Sequence, residues 1–459
     1  MPSPAEGVTT RSPSSHAVSP DAEAPGPRPM LGARHVFAII IGIVIGAGIF
    51  RTPALVAGAA GSEAAFLLVW LLGGLLSTAG ALCYAELAAA FPSAGGDYHF
   101  LSRAFGQRVG FLYAWARLAV IQTGSLALLA FLFGDYAAAI LPLGPQGPAL
   151  YAAAAVIALT LLNWVHVRGG TGSQLWLTLF EVAGLVGIVA VAFALPAAPA
   201  SAAPAADSSF GLMLVFVLLT YGGWSEAAYV SAELRGGGRR MAWVLVSSLA
   251  LITLLYLLVN WAYLRALGLG GLAASDAVAA ELVERALGPA GAVAISLLVA
   301  VAALTSANAT SITGARTTYA LGCAFPQLSW LGRWHERAGT PRNALLAQCA
   351  LALLLVLGGA FARDGFRMAV EYTAPVFWFF LLLVGLSLFV LRAREPDAPR
   401  PFKVPLYPVL PAIFCLTSLY LLYSSVAYTG ASALVGVAVL AAGALLLLFL
   451  RNPRAEETR

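Results

Sequence analysis

The stretch Gly42-Ile43-Val44-Ile45-Gly46-Ala47-Gly48-Ile49-Phe50 decides how this chain is read. It stands at the middle of an apolar run over residues 35–59, long enough to cross a bilayer as a helix. Gly46 and Gly48 flank Ala47, and each glycine disfavours helix by roughly 1 kcal/mol. A break there leaves two pieces too short to cross alone. Glycine also lets membrane helices pack closely, so this stretch by itself leaves packing and breaking both open. A second stretch, Thr220-Tyr221-Gly222-Gly223-Trp224, lies in the middle of another apolar run, over residues 209–234.

Outward from these two, twelve apolar runs can be counted: 35–59, 64–90, 107–140, 148–165, 172–196, 209–234, 240–266, 289–322, 342–361, 366–393, 405–428 and 431–451. They are called spans 1 to 12 below. The runs are continuous rather than alternating, which argues helices and against a β-barrel. The glycine-rich stretches fall in spans 1 and 6. Those are equivalent places in two five-helix halves, 35–196 and 209–393, with spans 11 and 12 (405–451) appended. Paired interruptions at equivalent places point to an inverted repeat with a binding site near the bilayer midplane. The expectation is an all-α polytopic membrane protein of twelve transmembrane helices.

Composition agrees. Hydrophobic residues make up 60% of the 459 and charged residues 10%, with mean hydropathy +0.85. A soluble domain carries about 25% charged residues, so this chain cannot cover a water-facing surface. Residues 1–33 are rich in Pro, Ser, Ala and Gly and read as a disordered cytoplasmic tail. Residues 34–451 read as the transmembrane domain and 452–459 as a second cytoplasmic tail. No signal-peptide pattern precedes the first run. With the amino terminus inside, the inner segments hold 20 of the 26 basic residues and the outer segments five, Arg51, Arg265, Arg285, Arg363 and Arg367. That bias places both termini in the cytoplasm.

Several classes are excluded. Basic and aromatic residues do not interleave as nucleic-acid binding requires. Cys83, Cys323, Cys349 and Cys415 are scattered, so neither a metal site nor a cofactor is expected. The five histidines form no catalytic grouping, and the chain is not expected to be an enzyme.

The chemistry follows from a break. An unwound segment exposes N–H groups at the start of one half-helix and carbonyls at the end of the other. The N–H groups and the positive dipole end suit a carboxylate; the carbonyls suit an ammonium. A site with both fits the head of an amino acid.

At these residues the sequence resembles the amino acid–polyamine–organocation superfamily, and is similar to the L-type amino acid transporters and their bacterial permease relatives. The likeness runs from about residue 33 to 450. It is carried by Gly42 to Phe50 with Thr52-Pro53, by Tyr84-Ala85-Glu86-Leu87, Pro92 and Gly95-Gly96-Asp97-Tyr98, and by Tyr221-Gly222-Gly223-Trp224 with Ala232-Glu233-Leu234. Ser306-Ala307-Asn308, Arg316 and Arg400-Pro401-Phe402-Lys403-Val404 complete it. The resemblance implies a LeuT-like 5+5 inverted repeat with broken helices 1 and 6. It implies an amino acid permease of the cytoplasmic (inner) membrane of a bacterium, an antiporter or a symporter. Gly46, Ala47 and Gly48 would hold the substrate carboxylate. Carbonyls of Val44, Leu219, Thr220 and Gly222 would take the ammonium, with Leu219 where relatives have a bulky gating residue. Val120, Ile121, Ser125, Ser225 and Trp378 would line the side-chain pocket. Packing is the alternative role for each apolar residue among them.

Two departures bear on mechanism. Many relatives have serine where Ala47 stands, so a hydroxyl donor is missing. Relatives often have lysine where Glu181 stands, and the sole lysine here is Lys403. Intramembrane charge is costly, so Glu181 reads either as a proton or cation site or as a structural carboxyl. Glu86 and Glu233 lie near cytoplasmic ends and read as braces. Arg117 is deep enough in span 3 to need an acid. Glu226 follows the span 6 break and could meet a cationic side chain. A neutral, apolar amino acid is the expected cargo. A polyamine or cationic amino acid carrier and a non-transporting membrane sensor are the alternatives. Animal L-type transporters bond to a heavy chain through a cysteine in the loop after span 3. The corresponding loop, Leu141 to Pro148, has none, so no disulfide-linked partner is expected.

Overall fold

The computed structural model describes residues 32–93, 95–165, 171–198, 209–226, 237–335, 339–362, 364–427 and 431–449. Of the tail expected over 1–33, residues 1–31 lie outside them, as do the tail 452–459 and Ala232-Glu233-Leu234; helix already begins at Ala33. Among the described residues the backbone is helical almost throughout, and the one β-bridge pairs His335 with Thr340.

Among the described residues, eight helices are long and apolar enough to cross a membrane: Glu63–Ala90, Gln107–Ile140, Gly147–Val165, Arg239–Ala274, Val278–Ala324, Arg342–Ala360, Gly365–Arg394 and Val409–Ala427. A ninth crossing is a bent pair, Val36–Phe50 and Thr52–Ala59, turned by 55°. Span 5 is helical over Thr171–Ala194, span 6 over Phe210–Thr220 and span 12 over Ala431–Leu446. Each of these three borders residues outside the described set. All twelve expected runs therefore carry apolar helix. Leu68, Leu75, Leu161, Leu162, Trp176, Leu354 and Leu416 are more than half exposed. Such an outer surface suits lipid and not water.

Where side chains cap or brace the helices, the reason is local. Ser62 accepts from the Ala65 N–H and starts span 2; Asp364 accepts from the Arg367 N–H and starts span 10. Glu86, near the C-terminal end of span 2, accepts from the Arg392 Nε and Nη2 and from the Val404 N–H. Arg400 approaches it at 3.5 Å. This joins the Tyr84-to-Leu87 motif to the Arg400-to-Val404 motif, and explains why two stretches over 300 residues apart belong to one pattern.

Three features have no counterpart in the sequence reading. A short helix, Asp97–Phe105, separates spans 2 and 3. Residues 278–287 form a helical segment ahead of span 8, set off by Gly288 at φ 68°. Span 3 carries a π-helical turn, Arg117–Gln122. Such a turn frees a carbonyl from the ordinary ladder, and the Tyr372 hydroxyl from span 10 donates to Ala119 O at 2.7 Å.

Candidate functional site

Regular helix gives way at both glycine-rich stretches. The first half of span 1 ends at Val44, capped by Ile45 donating to Ile41 O. Gly46 then turns out of the helix at φ −37°, ψ −176°, and a 3-10 turn, Ala47–Phe50, follows before helix resumes at Thr52. The first N–H groups of that turn, Ala47 and Gly48, have no partner within it, as at any helix start. In span 6 the helix ends at Thr220, and the Gly222 N–H donates to Leu219 O at 3.0 Å. Gly223 sits at φ +102°, a conformation glycine adopts without steric cost. A second 3-10 turn, Trp224–Glu226, follows.

The two breaks touch. A Cβ placed on Gly48 would lie 3.0 Å from Thr220 Cγ2, and one on Gly223 would lie 2.7 Å from Ile43 Cγ2. Each break thus packs against the other through a missing side chain. Gly46 faces Ser306 of span 8, whose Oγ would lie 3.3 Å from an added Cβ. A binding site between the breaks calls for a cavity there. The described conformation is instead closed there, and the adjoining cavity holds only about 20 Å³. Gly222, Ser225 and Trp378 line it, together with Ser77 and Phe414. An amino acid would need this region to open.

Val44 and Thr220 converge on one group. The Tyr256 hydroxyl of span 7 lies 2.7 Å from Val44 O and 3.4 Å from Thr220 O. Both carbonyls freed by the breaks are therefore aimed at one point, occupied by a buried hydroxyl. Tyr256 was not singled out in the sequence. A tyrosine inside an apolar run carries no periodic signal, and only the fold puts it between the breaks. Leu219 is half-buried, and its carbonyl closes the turn to Gly222. Val120, Ile121 and Ser125 stand on or just after the π-turn of span 3. Val120 is buried and the other two are half-buried, and none of the three lines the small cavity.

Glu181 is 3% exposed, and its Oε2 has no hydrogen-bond partner among the described residues. One turn on, Gly184 packs against Leu298 of span 8. Three residues earlier, the Thr178 hydroxyl donates to Ala38 O of span 1. This carboxyl therefore borders spans 1 and 8, and stands within electrostatic reach of Tyr256. No group of three metal-ligating side chains occurs among the described residues.

Ionic groups close both ends of the broken spans. Arg51, just past the span 1 turn, is 7% exposed. It contacts Asp364 at 2.8 Å, Asp276 at 3.1 Å and Asp135 at 3.8 Å. At the other end Arg117 donates to both oxygens of Glu226 at 3.0 Å and to the Tyr113 hydroxyl at 3.0 Å. That hydroxyl donates to Asp97 Oδ2 at 3.0 Å. Asp97 lies in the loop helix outside the spans, and burial raises its carboxyl to about 7, against the opposing pull of Arg117.

A bundle of apolar spans in which two helices break face to face is the architecture of secondary transporters. The chain belongs to the amino acid permease family, whose model matches residues 31–449, within the superfamily named above and among its L-type transporters. It is 32% identical over 403 residues to the b(0,+)-type amino acid transporter 1 of Mus musculus, covering 84% of this chain and 80% of that protein. The Homo sapiens protein of the same name is 30% identical over 411 residues, 86% and 82% of the two chains. The Large neutral amino acids transporter small subunit 2 of Mus musculus is 31% identical over 430 residues, 90% and 79%. The chain is thus a multi-pass membrane protein of amino acid transport, not an enzyme, and its small-molecule substrate is an amino acid.

Proposed function

We propose that this chain moves a neutral, apolar amino acid across the bacterial cytoplasmic membrane by alternating access, with both termini inside. The observation that carries the reading is the convergence of the Val44 and Thr220 carbonyls on the Tyr256 hydroxyl, next to the N–H groups of the Ala47–Phe50 turn. The substrate ammonium takes over the acceptors that Tyr256 now satisfies, and the carboxylate takes the N–H groups and the dipole end. Because Gly48 lies against Thr220, binding parts the two breaks. The side chain then meets Val120, Ile121, Ser125, Ser225 and Trp378.

Neutral cargo is favoured over cationic because Glu226 is held bidentately by Arg117 and is not available to a second cation. The Leu141–Pro148 loop has no cysteine, which supports work without a disulfide-linked subunit. The curated relative that is named a small subunit makes this worth testing.

The reading is tested by uptake into proteoliposomes containing the purified chain alone. Leucine uptake should be competed by other neutral amino acids and not by arginine or putrescine; stronger competition by the cations overturns it. Glu181, buried beside spans 1 and 8, is the proposed proton-coupling group. Glu181→Gln should flatten the pH dependence of uptake while binding persists, and an unchanged pH profile would make the carboxyl structural.

A further inference from the structure

A groove of about 680 Å³ opens at the Arg-rich end of the bundle, between span 2, the start of span 7 and the loop after span 10. Its floor is apolar, with Leu82, Trp243, Val246 and Phe402. Its rim is cationic. Arg400 is fully engaged there, donating to the carbonyls of Leu391, Glu395, Pro396 and Ala398. Arg239 and Lys403 differ: both are exposed, and neither makes an ion pair among the described residues. Arg239 lies in the first turn of the helix Gly237–Ala274, whose dipole adds positive potential at that end.

The depth of the groove can be read from tryptophan. Trp243 and Trp261 are 72% and 47% exposed and lie on one face of span 7. They are eighteen residues apart, about five turns or ~27 Å, close to the thickness of a hydrocarbon core of about 30 Å. Tryptophans at that separation mark the two membrane interfaces. Trp243 therefore sits at headgroup level, and Arg239, one turn earlier, lies at the level of lipid phosphates.

We propose that this groove is a binding site for an anionic phospholipid, its phosphate between Arg239 and Lys403 and its acyl chains descending over Trp243 and Val246. Two exposed cations, without an ion pair among the described residues, above an apolar floor complement that ligand in both charge and polarity. A free phosphate or a soluble headgroup fits only the rim. No residue of either break lines the groove, and the proposal is independent of what the chain carries.

The test is native mass spectrometry of the purified full-length chain in detergent, titrated with dioleoyl phosphatidylglycerol or dioleoyl phosphatidylcholine. Phosphatidylglycerol should be retained preferentially. The double variant Arg239→Gln/Lys403→Gln should bind it roughly 25-fold more weakly, at about fivefold per cation, with phosphatidylcholine binding unchanged. Millimolar glycerol 3-phosphate should not displace the lipid. Arg108→Gln/Arg333→Gln removes two exposed cations elsewhere at the same end and should behave as the parent. The single variant Lys403→Gln, in a loop, should give about fivefold and serves if the double variant fails to fold. Equal retention of the two lipids, undiminished binding by the charge variants, an equal loss in the Arg108/Arg333 control, or displacement by glycerol 3-phosphate would each overturn the proposal.

Discussion

The two broken spans end in opposite chemistry. Past its break, span 1 presents a cation, Arg51, to three acids held by span 3, the loop before span 8 and the start of span 10. Past its break, span 6 presents an acid, Glu226, to a cation held by span 3. In both cases the broken span supplies one partner and the surrounding scaffold the other. The Arg51 side chain is 8% exposed and gathers carboxylates from three elements, one of them almost fully solvated. Arg117 holds one carboxylate bidentately, and that acid is 27% exposed. The difference teaches which end holds more tightly. Both cations are buried, so the ends differ in their acids: opening the Arg51 end separates the cation from carboxylates on three elements, whereas opening the Arg117 end separates it from a carboxylate already near water.

Removing Arg51 should have the largest effect. Arg51→Met leaves Asp135 and Asp364 close together and without their cation. Breaking a buried ionic group in this way destabilises by about 3–5 kcal/mol. Thermal unfolding in detergent should show a fall of many degrees, and cysteine-accessibility labelling from the Arg51 side should rise at positions beside the span 1 break. If Arg51→Met melts like the parent, the tight end is not tight and the comparison fails.

The Arg117 end should yield a smaller number. A double-mutant cycle of Arg117→Gln and Glu226→Gln should give a coupling of about 2 kcal/mol, within the range for charged side chains in direct contact. Arg117→Gln alone should cost less than Arg51→Met, because Glu226 can rehydrate. A coupling near zero would make this pair incidental. The same Glu226→Gln variant is informative for cargo. If it changes the preference between neutral and cationic amino acids, Glu226 meets substrate after all in some stage of the cycle.

Much of this was legible in the sequence because the membrane forces a coarse and strong signal. Twelve apolar runs and two glycine-rich stretches at equivalent places are visible without coordinates, and so is the need of deep Arg117 for an acid. What the sequence left open is whatever depends on rotation about a helix axis. The reading left the face of Glu226 unassigned, and the structure turns it to Arg117. Arg51 was counted only as an outer charge, because nothing in one run reveals that Asp135, Asp276 and Asp364 converge on it. Tyr256 was missed for the same reason. The expected cavity between the breaks is closed because Thr220 fills the space beside Gly48, and a sequence specifies a site without specifying which conformation exposes it.

The smallest effect should be the dependence of stability on pH at the Arg117 end, where Asp97 is the reporter. Its carboxyl is raised to about 7, chiefly by burial, with Arg117 lowering it, Glu226 raising it and the Tyr113 hydroxyl lowering it. An acid whose folded pKa exceeds its unfolded value, near 3.9, binds its proton more tightly when folded. Its contribution therefore favours the folded state at low pH and declines as pH rises through the window between the two values. Between pH 6 and 8 the unfolded form is already ionised while the folded form loses its proton. Over that interval stability should fall by about 1.4 kcal/mol from this group, and remain level above it. Asp97→Asn should remove that slope, measured as the unfolding temperature at pH 6, 7 and 8. The neighbouring His99 is unchanged in both proteins, and burial and Arg103 hold it below its ordinary value, so the difference between the two curves isolates Asp97. Glu226→Gln supplies the sharper comparison. It deletes the charge that raises Asp97, so the decline should begin at lower pH than in the parent. An identical pH profile in Glu226→Gln would mean that Asp97 does not sense the pair, and that the Arg117 end is two separate contacts and not one network.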